Sequence, residues 1–383
     1  MGRPAVRAAG RRGHDPVSGR TVLQDAIARI GGGATLDRSA AADAMGAIMD
    51  GAATPAQIGA FLLGLRVRGE TVEEITGFAQ AIRSRAMPVA HSYPGLVDTC
   101  GTGGDGLGTF NISTTAAFIV AGAGLKVAKH GNRAISSRTG SADVLESLGV
   151  MVDMAGPEAA GALDAVGITF LFAPTFHAAM RHAGPVRREL ATRTVFNVLG
   201  PLCNPAGATV QVVGVFDPAL VRPMAQVLGN LGVRRAFVVH GSDGLDELTV
   251  TAPSRVAEWT GSAVREHMVD PEDVGLPRWP AQAMAGGDAA TNAGILRDVL
   301  RGIPGGARDV ATLNAAAALL AADAAEDLRH GLELARASID SGAALDRLDA
   351  LLTYSDRLRS REGGTRVVEE RVPPVQPGWG HPR

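Results

Sequence analysis

The stretch Val97–Ser141, VDTCGTGGDGLGTFNISTTAAFIVAGAGLKVAKHGNRAISSRTGS, decides how the rest of the chain is read. The short apolar run Leu96-Val97 reads as a strand end, and a flexible turn follows, Gly101-Thr102-Gly103-Gly104-Asp105-Gly106. After Thr109-Phe110-Asn111-Ile112-Ser113-Thr114 the sequence turns apolar and helical in texture, from Thr115 to Gly122. Glycines let backbone N–H groups face a ligand, and a helix N-terminus adds unpaired donors at the positive end of its dipole. Asn111, Ser113 and Thr114 either cap that helix or give their oxygens to a ligand or metal. A second strand, Leu125 to Ala128, closes on Lys129-His130-Gly131-Asn132-Arg133, two cations and an amide beside another glycine. The pocket implied by this order holds something with several phosphates.

The basic residues sharpen that expectation. Of 37, only Lys126 and Lys129 are lysines, although lysine is normally among the commonest residues. Lysine is a compact point charge and arginine a planar fork, so a tight phosphate site can reject the exchange. Both surviving lysines are therefore expected inside the phosphate site.

With 383 residues the chain has length for two domains, at roughly 100–200 residues each. Apolar content of 46% with 20% charged residues is that of a globular protein, and a net charge of −2 announces no broad basic surface for nucleic acid. Two cysteines, Cys100 and Cys203, make no disulfide framework and suit a reducing cytoplasm. No stretch approaches the run of about 20 apolar residues of a membrane helix. The basic start has no apolar core behind it, so it is not read as a secretory signal. Residues 1–20 are expected to be a disordered arm, and the Pro-, Gly- and charge-rich residues 359–383 a disordered tail.

Between these ends the texture changes once. Residues 21–92 read as an all-helical domain, and the segment from His177 to Leu190 reads as strongly helical and unusually cationic. Thr54-Pro55-Ala56-Gln57 and Thr71-Val72-Glu73-Glu74 are capping boxes, with Ile58, Phe61, Leu62 and Leu65, then Ile75, Phe78 and Ile82, on the faces behind them. Weaker helices are expected near Val22–Ile30 and Ser39–Met49. Residues 93–358 read as α/β, a central mostly parallel sheet flanked by helices. Its strands are expected at Leu96–Cys100, Leu125–Ala128, Ile168–Ala173, Val210–Phe216, Arg235–His240 and Glu247–Thr251. A loop region after Trp259 and alanine-rich helices, Ala289–Arg301 and Ala311–Ser341, complete it. There is no dinucleotide G-x-G-x-x-G fingerprint with its downstream acid, and no Walker Lys-Ser/Thr after the Gly101 loop.

Several motifs in one order resemble the anthranilate phosphoribosyltransferase family. They are GTGGD at 101–105, NIST at 111–114, KHGNR at 129–133, GSAD at 140–143, GPVRREL at 184–190, FNVLGPLCNPA at 196–206, DGLDE at 243–247 and GGDAATNA at 286–293. The start, QIGAFLLGLRVRGET at 57–71, looks like the wider nucleoside phosphorylase-like class of phosphoribosyltransferases, whose fold this implies. The resemblance covers roughly Thr21 to Leu358. It implies transfer of the phosphoribosyl group from phosphoribosyl pyrophosphate to the amine of anthranilate, in tryptophan biosynthesis.

The resemblance also implies roles. Gly101, Gly104, Asp105 and Thr109 would line the phosphoribosyl pyrophosphate site. Asn111, Ile112, Ser113 and Thr114 would contact its phosphates and ribose. So would Lys129, His130, Gly131, Asn132, Arg133, Ala134, Ile135, Ser136, Ser137 and Ser141. Ser113, Asp246 and Glu247 would hold magnesium, two ions per subunit. Arg187 would take the anthranilate carboxylate with a bidentate fork, and Asn132 would lie near the amine. Lys129, Asn132 and Arg187 would position the substrates, while His130 and His177 would line the aromatic site. The helices near 177–200, with Arg187, would join the helical domain, domain closure would bring the two halves together, and a homodimer through the helical domain is implied. The rival readings are a pyrimidine nucleoside phosphorylase-like enzyme, a non-catalytic nucleic-acid-binding relative and a structural dimer with a decayed site. The KHGNR run with Asp246-Glu247, and the near-neutral charge, argue against them.

Overall fold

Helices α1 (Val22–Gly31), α2 (Arg38–Met49), α3 (Pro55–Arg68) and α4 (Val72–Arg83) form the amino-terminal unit of the computed structural model, which describes residues 20–134 and 138–369. Each opens on a residue that closes its first turn. Thr21, Thr54 and Thr71 accept the N–H of Gln24, Gln57 and Glu74, whose side chains answer onto the threonine N–H groups; Asp37 caps α2. Both expected capping boxes are present, and Phe61 meets Phe78 edge-on at 5.7 Å in the core behind them. Glu74 is fully buried, yet it accepts the Leu36 N–H at 2.8 Å and pairs with Arg68, so the charge is not stranded.

The rest of the chain builds a sheet. In order come β1 (Val97–Gly101), α5 (Ile112–Gly122), β2 (Val127–Gly131), α6 (Ser141–Leu148), α7 (Gly156–Val166), β3 (Ile168–Phe172), α8 (Ala173–Phe176), α9 (Gly184–Leu190), α10 (Phe196–Leu199), β4 (Val210–Gly214), α11 (Val221–Asn230), β5 (Arg235–Gly241), β6 (Ser254–Trp259) and β7 (Val264–Val269). Four helices end it: α12 (Ala289–Leu300), α13 (Gly306–Ala321), α14 (Leu328–Asp340) and α15 (Ala343–Glu369). The spatial order is β3-β2-β1-β4-β5-β6-β7, parallel from β3 to β5 and antiparallel beyond. The chain winds outward from β1 to β3, then resumes at β4 on the other side of β1. Between β1 and β4 lies the switch point, where open α/β sheets carry their crevices.

One face of the sheet packs on α5, α7 and α12–α15, the other on α11 and, continuous with it, the helical unit. β1 and β4 are buried along their length, as parallel strands covered on both sides are. Helix α9 leaves the sheet and packs on α3, and α10 reaches α4.

Three expectations need correction. Glu247–Thr251 is not a strand: its main chain is held by side chains, Leu248 N–H and C=O by the Asn314 amide at 3.1 and 2.9 Å and Thr249 N–H by Ser254 Oγ at 3.0 Å. The loop expected after Trp259 is instead the β6–β7 hairpin, turning at Gly261 with φ 90°. Its outer strand is largely exposed and charged, Glu266 pairing with Arg222 and Arg255, which guards the sheet edge and hides the strand from a search for apolar runs. Helix α15 runs to Glu369, past the expected boundary at Leu358; Arg359 binds the Gly149 carbonyl and Asp356. The arm expected over 1–20, the tail beyond 369 and Ile135, Ser136 and Ser137 lie outside the described residues, apart from Arg20. Among the described residues no helix is long and apolar enough to cross a membrane.

Candidate active site

The strand ends at the switch point are glycines because something must approach them closely. Gly101 and Gly214 are register partners on β1 and β4. A Cβ on Gly214 would fall 1.4 Å from the Asp246 carbonyl oxygen, and one on Gly101 2.7 Å from Asp246 Oδ2. The loop carrying Asp246-Glu247 therefore lies directly over both strand ends. It is shaped by Asp243, which accepts the Leu245 N–H at 3.1 Å and the hydroxyls of Thr249 and Thr251. The glycine loop follows β1 with positive φ at Gly103, Gly104, Gly106 and Gly108, and Gly103 donates its N–H to Asp246 Oδ2 at 2.7 Å.

Around this contact the neighbouring elements converge. Glu247 accepts the Ser113 N–H at 3.1 Å, at the start of α5. Lys129, a buried β2 residue, reaches Ser113 Oγ at 3.3 Å and donates to the Thr99 carbonyl, while Thr99 Oγ1 donates to the Ser113 carbonyl at 2.8 Å. Loss of water, with repulsion from Glu247 and Asp105, pushes Asp246 well above the usual carboxylate range; loss of water also raises Glu247, to about 7, with Lys129 and Ser113 pulling it down and Asp105 adding to the rise. Carboxylates gathered against their own repulsion fit a hard divalent cation. Among the described residues no three His, Cys, Asp or Glu side chains form a complete cage.

Of the residues singled out in the sequence, Lys126 is placed otherwise than expected. Lys126 is not in this site: its Nζ donates to the Leu163 and Asp164 carbonyls at 3.0 and 3.2 Å, near the end of α7, and lies over the Tyr93 ring. It precedes β2, so it leaves the sheet at its opposite end. Arg133 pairs with Glu146 and Asp143 of α6. Asn111 sits at the N-cap of α5 without capping it; its amide bonds to the Thr139 carbonyl at 3.3 Å and to Asn292 at 2.9 Å, tying in the 286–293 motif. Asp105 accepts the Leu107 N–H of its own turn at 3.2 Å, and Asn132 Oδ1 that of Arg133 at 2.8 Å. Ser141 opens α6 with its Oγ on the Asn132 carbonyl at 3.3 Å, and Ala134 donates its N–H to Asp143 at 3.0 Å. Thr109, Ile112, Thr114 and Gly131 lie in the same loop, helix start and strand end, Thr109 bridging to Ala285.

The opposite wall is made by the ring of His130 on β2 and the chain's excursion between β3 and β4. His130 holds the Gly200 carbonyl through Nδ1 at 3.2 Å, so Nδ1 carries the proton and Nε2 is a bare acceptor, buried without a partner. His177 lies 5.1 Å away, ring edge to ring, with neither nitrogen properly bonded beyond a weak approach to the Cys203 main chain. Burial lowers both, His130 to about 3, so both rings are neutral. Arg187 on α9 lies 5.0 Å over the Phe196 ring and, among the described residues, has no carboxylate partner. Burial lowers its pKa.

Sequence reasoning missed the support beneath these groups. Asp98 is fully buried; it accepts the His130 N–H at 3.2 Å and the Asn204 amide at 2.8 Å, and Asn204 also donates to the Ala128 carbonyl. A lone carboxylate inside the apolar VDTC run was the available signal.

The chain matches the family model of the glycosyl transferase family a/b domain over residues 93–345, and that of the family's helical bundle domain over 24–86. An anthranilate phosphoribosyltransferase of Moorella thermoacetica is 58% identical over 333 residues, 87% of this chain and 98% of that protein. One from Symbiobacterium thermophilum is 55% identical over 87% and 98%. Among solved structures, anthranilate phosphoribosyltransferase from Thermus thermophilus superposes with a TM-score of 0.83 at 43% identity, covering 87% of this chain and 99% of that one. The Saccharomyces cerevisiae enzyme, in complex with phosphoribosyl pyrophosphate and magnesium, gives 0.81 at 28% identity over 88% and 98%.

Proposed function

The chain belongs to the anthranilate phosphoribosyltransferase family, and we propose that it transfers the 5-phosphoribosyl group of phosphoribosyl pyrophosphate to the amine of anthranilate, releasing pyrophosphate. The observation that carries this reading is the two-sided crevice. Glycine-loop amides, Lys129 and the acidic pair meet at the β1–β4 switch point, while Arg187 and two neutral histidines stand on the other wall.

In this reading the N–H groups of the glycine loop and of the α5 start, with Lys129, hold the phosphates. Gly101, Gly104, Asp105, Thr109, Asn111–Thr114, Lys129–Ala134 and Ser141 line that half. Asp246, Glu247 and Ser113 hold magnesium, two ions in each subunit, which neutralises charge on the departing pyrophosphate when bound. Arg187 takes the anthranilate carboxylate as a bidentate pair. His130 Nε2 has the lone pair, and Asn132 the amide oxygen, to receive an amine N–H. The nucleophile is a weak aromatic amine, so placement of the two substrates supplies more of the rate than a strong base would.

The exposed Val22, Leu63 and Val67 lie on α1 and α3, and we place a homodimer contact there. Two buried free cysteines suit a cytoplasmic enzyme.

Loss of anthranilate fluorescence on mixing enzyme, magnesium and phosphoribosyl pyrophosphate tests the reaction. Magnesium-dependent consumption is expected. A folded sample that binds phosphoribosyl pyrophosphate yet leaves anthranilate untouched would withdraw Arg187 and Asn132 first.

A further inference from the structure

Arg193 has no part in the roles above, yet its side chain crosses from the α9–α10 connection to the glycine loop. Its Nη2 donates to the Gly104 carbonyl, and its guanidinium lies 4.1 Å from the centre of the Phe216 ring. Phe216 is itself tied to that loop, its N–H donating to Thr102 Oγ1 at 3.0 Å, while Thr102 N–H donates to the Gly214 carbonyl at 2.9 Å. From the other side Asp246 holds the Gly103 N–H. Gly103 and Gly104, at φ 64° and 83°, are the residues with most freedom to lose shape. They are thus gripped twice, by the acidic pair and by a cation 89 residues further along the chain.

The connection that brings Arg193 there starts under strain. Ala191 has φ 47°, one of two non-glycine residues with positive φ among those described. Strain of this kind persists where the flanks are held. Here one flank is α9 and the other is Arg193.

We propose that Arg193 is a positioning residue, which clamps the glycine loop in the shape that binds the diphosphate of phosphoribosyl pyrophosphate. The inference rests on the phosphoribosyl-transfer reading. Its loss acts on one substrate, because the clamp touches the phosphate half of the crevice and not Arg187.

Calorimetric titration with phosphoribosyl pyrophosphate and magnesium, beside steady-state kinetics, tests it. Arg193→Ala should weaken that binding and raise the corresponding KM about tenfold, the size of one lost charge-assisted hydrogen bond, with KM for anthranilate within about twofold. Arg193→Lys should recover part of the loss, since an ammonium can meet the carbonyl but has no flat face for the ring. Phe216→Leu, which keeps an apolar side chain, should shift the same KM in the same direction by about threefold, so the idea survives a poorly folding alanine variant. Unchanged binding in Arg193→Ala, or equal losses for both substrates with a lowered melting temperature, would overturn it. A wild type that binds phosphoribosyl pyrophosphate but ignores anthranilate would sink the reaction while leaving the titration to decide on Arg193.

Discussion

Around Ser113 and Lys129 most polar groups near the strand ends find partners within the protein, Asp105 Oδ2 and Thr114 Oγ1 excepted, whereas around the His130 ring and α9 several do not. Gly103 N–H, Ser113 N–H and Lys129 are all engaged. Among the described residues, His130 Nε2 and both nitrogens of His177 are buried and without a hydrogen-bond partner, and Arg187 lies over the Phe196 ring with no carboxylate beside it. A buried polar group without a partner costs about 1–3 kcal/mol. The difference separates two kinds of binding surface. One half is preorganised around charge it already carries; in the proposed reading the other keeps its donors and acceptors for a molecule with a carboxylate and an amine.

Removing the charge on the finished side should have the largest effect. Asp246→Asn combined with Glu247→Gln should lower kcat by about a thousandfold, in the range of lost electrostatic stabilisation of a transition state. It should also abolish saturation by magnesium. Because those carboxylates repel one another, the melting temperature without ligand should hold or rise. Retained magnesium dependence would remove the pair from the metal site.

Next in size is the open side. Arg187→Ala should raise KM for anthranilate about thirtyfold through loss of a bidentate pair, leaving KM for phosphoribosyl pyrophosphate within about twofold. Equal changes in both constants would erase the division between the walls.

The smallest effect concerns stability. Burial disfavours the charged form of His130 and lowers its pKa to about 3, from the 6.5 of an ordinary histidine. Between those values the unfolded chain binds the extra proton, so stability should fall as pH drops through that window and be unaffected above it. His177 acts in the same direction. Melting temperatures of His130→Gln measured across that range should fall less steeply than those of the wild type. Identical slopes would assign the acid sensitivity to other groups.

Much of this was legible locally. The capping boxes at Thr54 and Thr71 act within four residues, and the helical unit could be read from them. Gly101 and Lys129 were legible because a glycine turn and a cation at a strand end have few other uses. Lys126 shows the limit: three residues away and chemically identical, it caps the end of α7 because it precedes β2 instead of lying in it. The β6–β7 hairpin escaped notice because an edge strand needs charge more than apolar character. Glu247–Thr251 looked like a strand because its alternation is real, but its backbone partner is the amide of Asn314, 66 residues on.

By itself, then, the sequence determined the helix starts, the flexible glycine turns, the α/β texture of residues 93–358 and the kinds of charge available, because these depend on neighbours a few residues apart. Only the tertiary structure decided who meets whom. The bond from Gly103 to Asp246 spans 143 residues and exists because β4 lies beside β1, with glycines at both strand ends. Strand order and register are settled by how whole faces of the sheet bury against α5, α13 and α11. That burial is collective, and no short stretch of the chain encodes it.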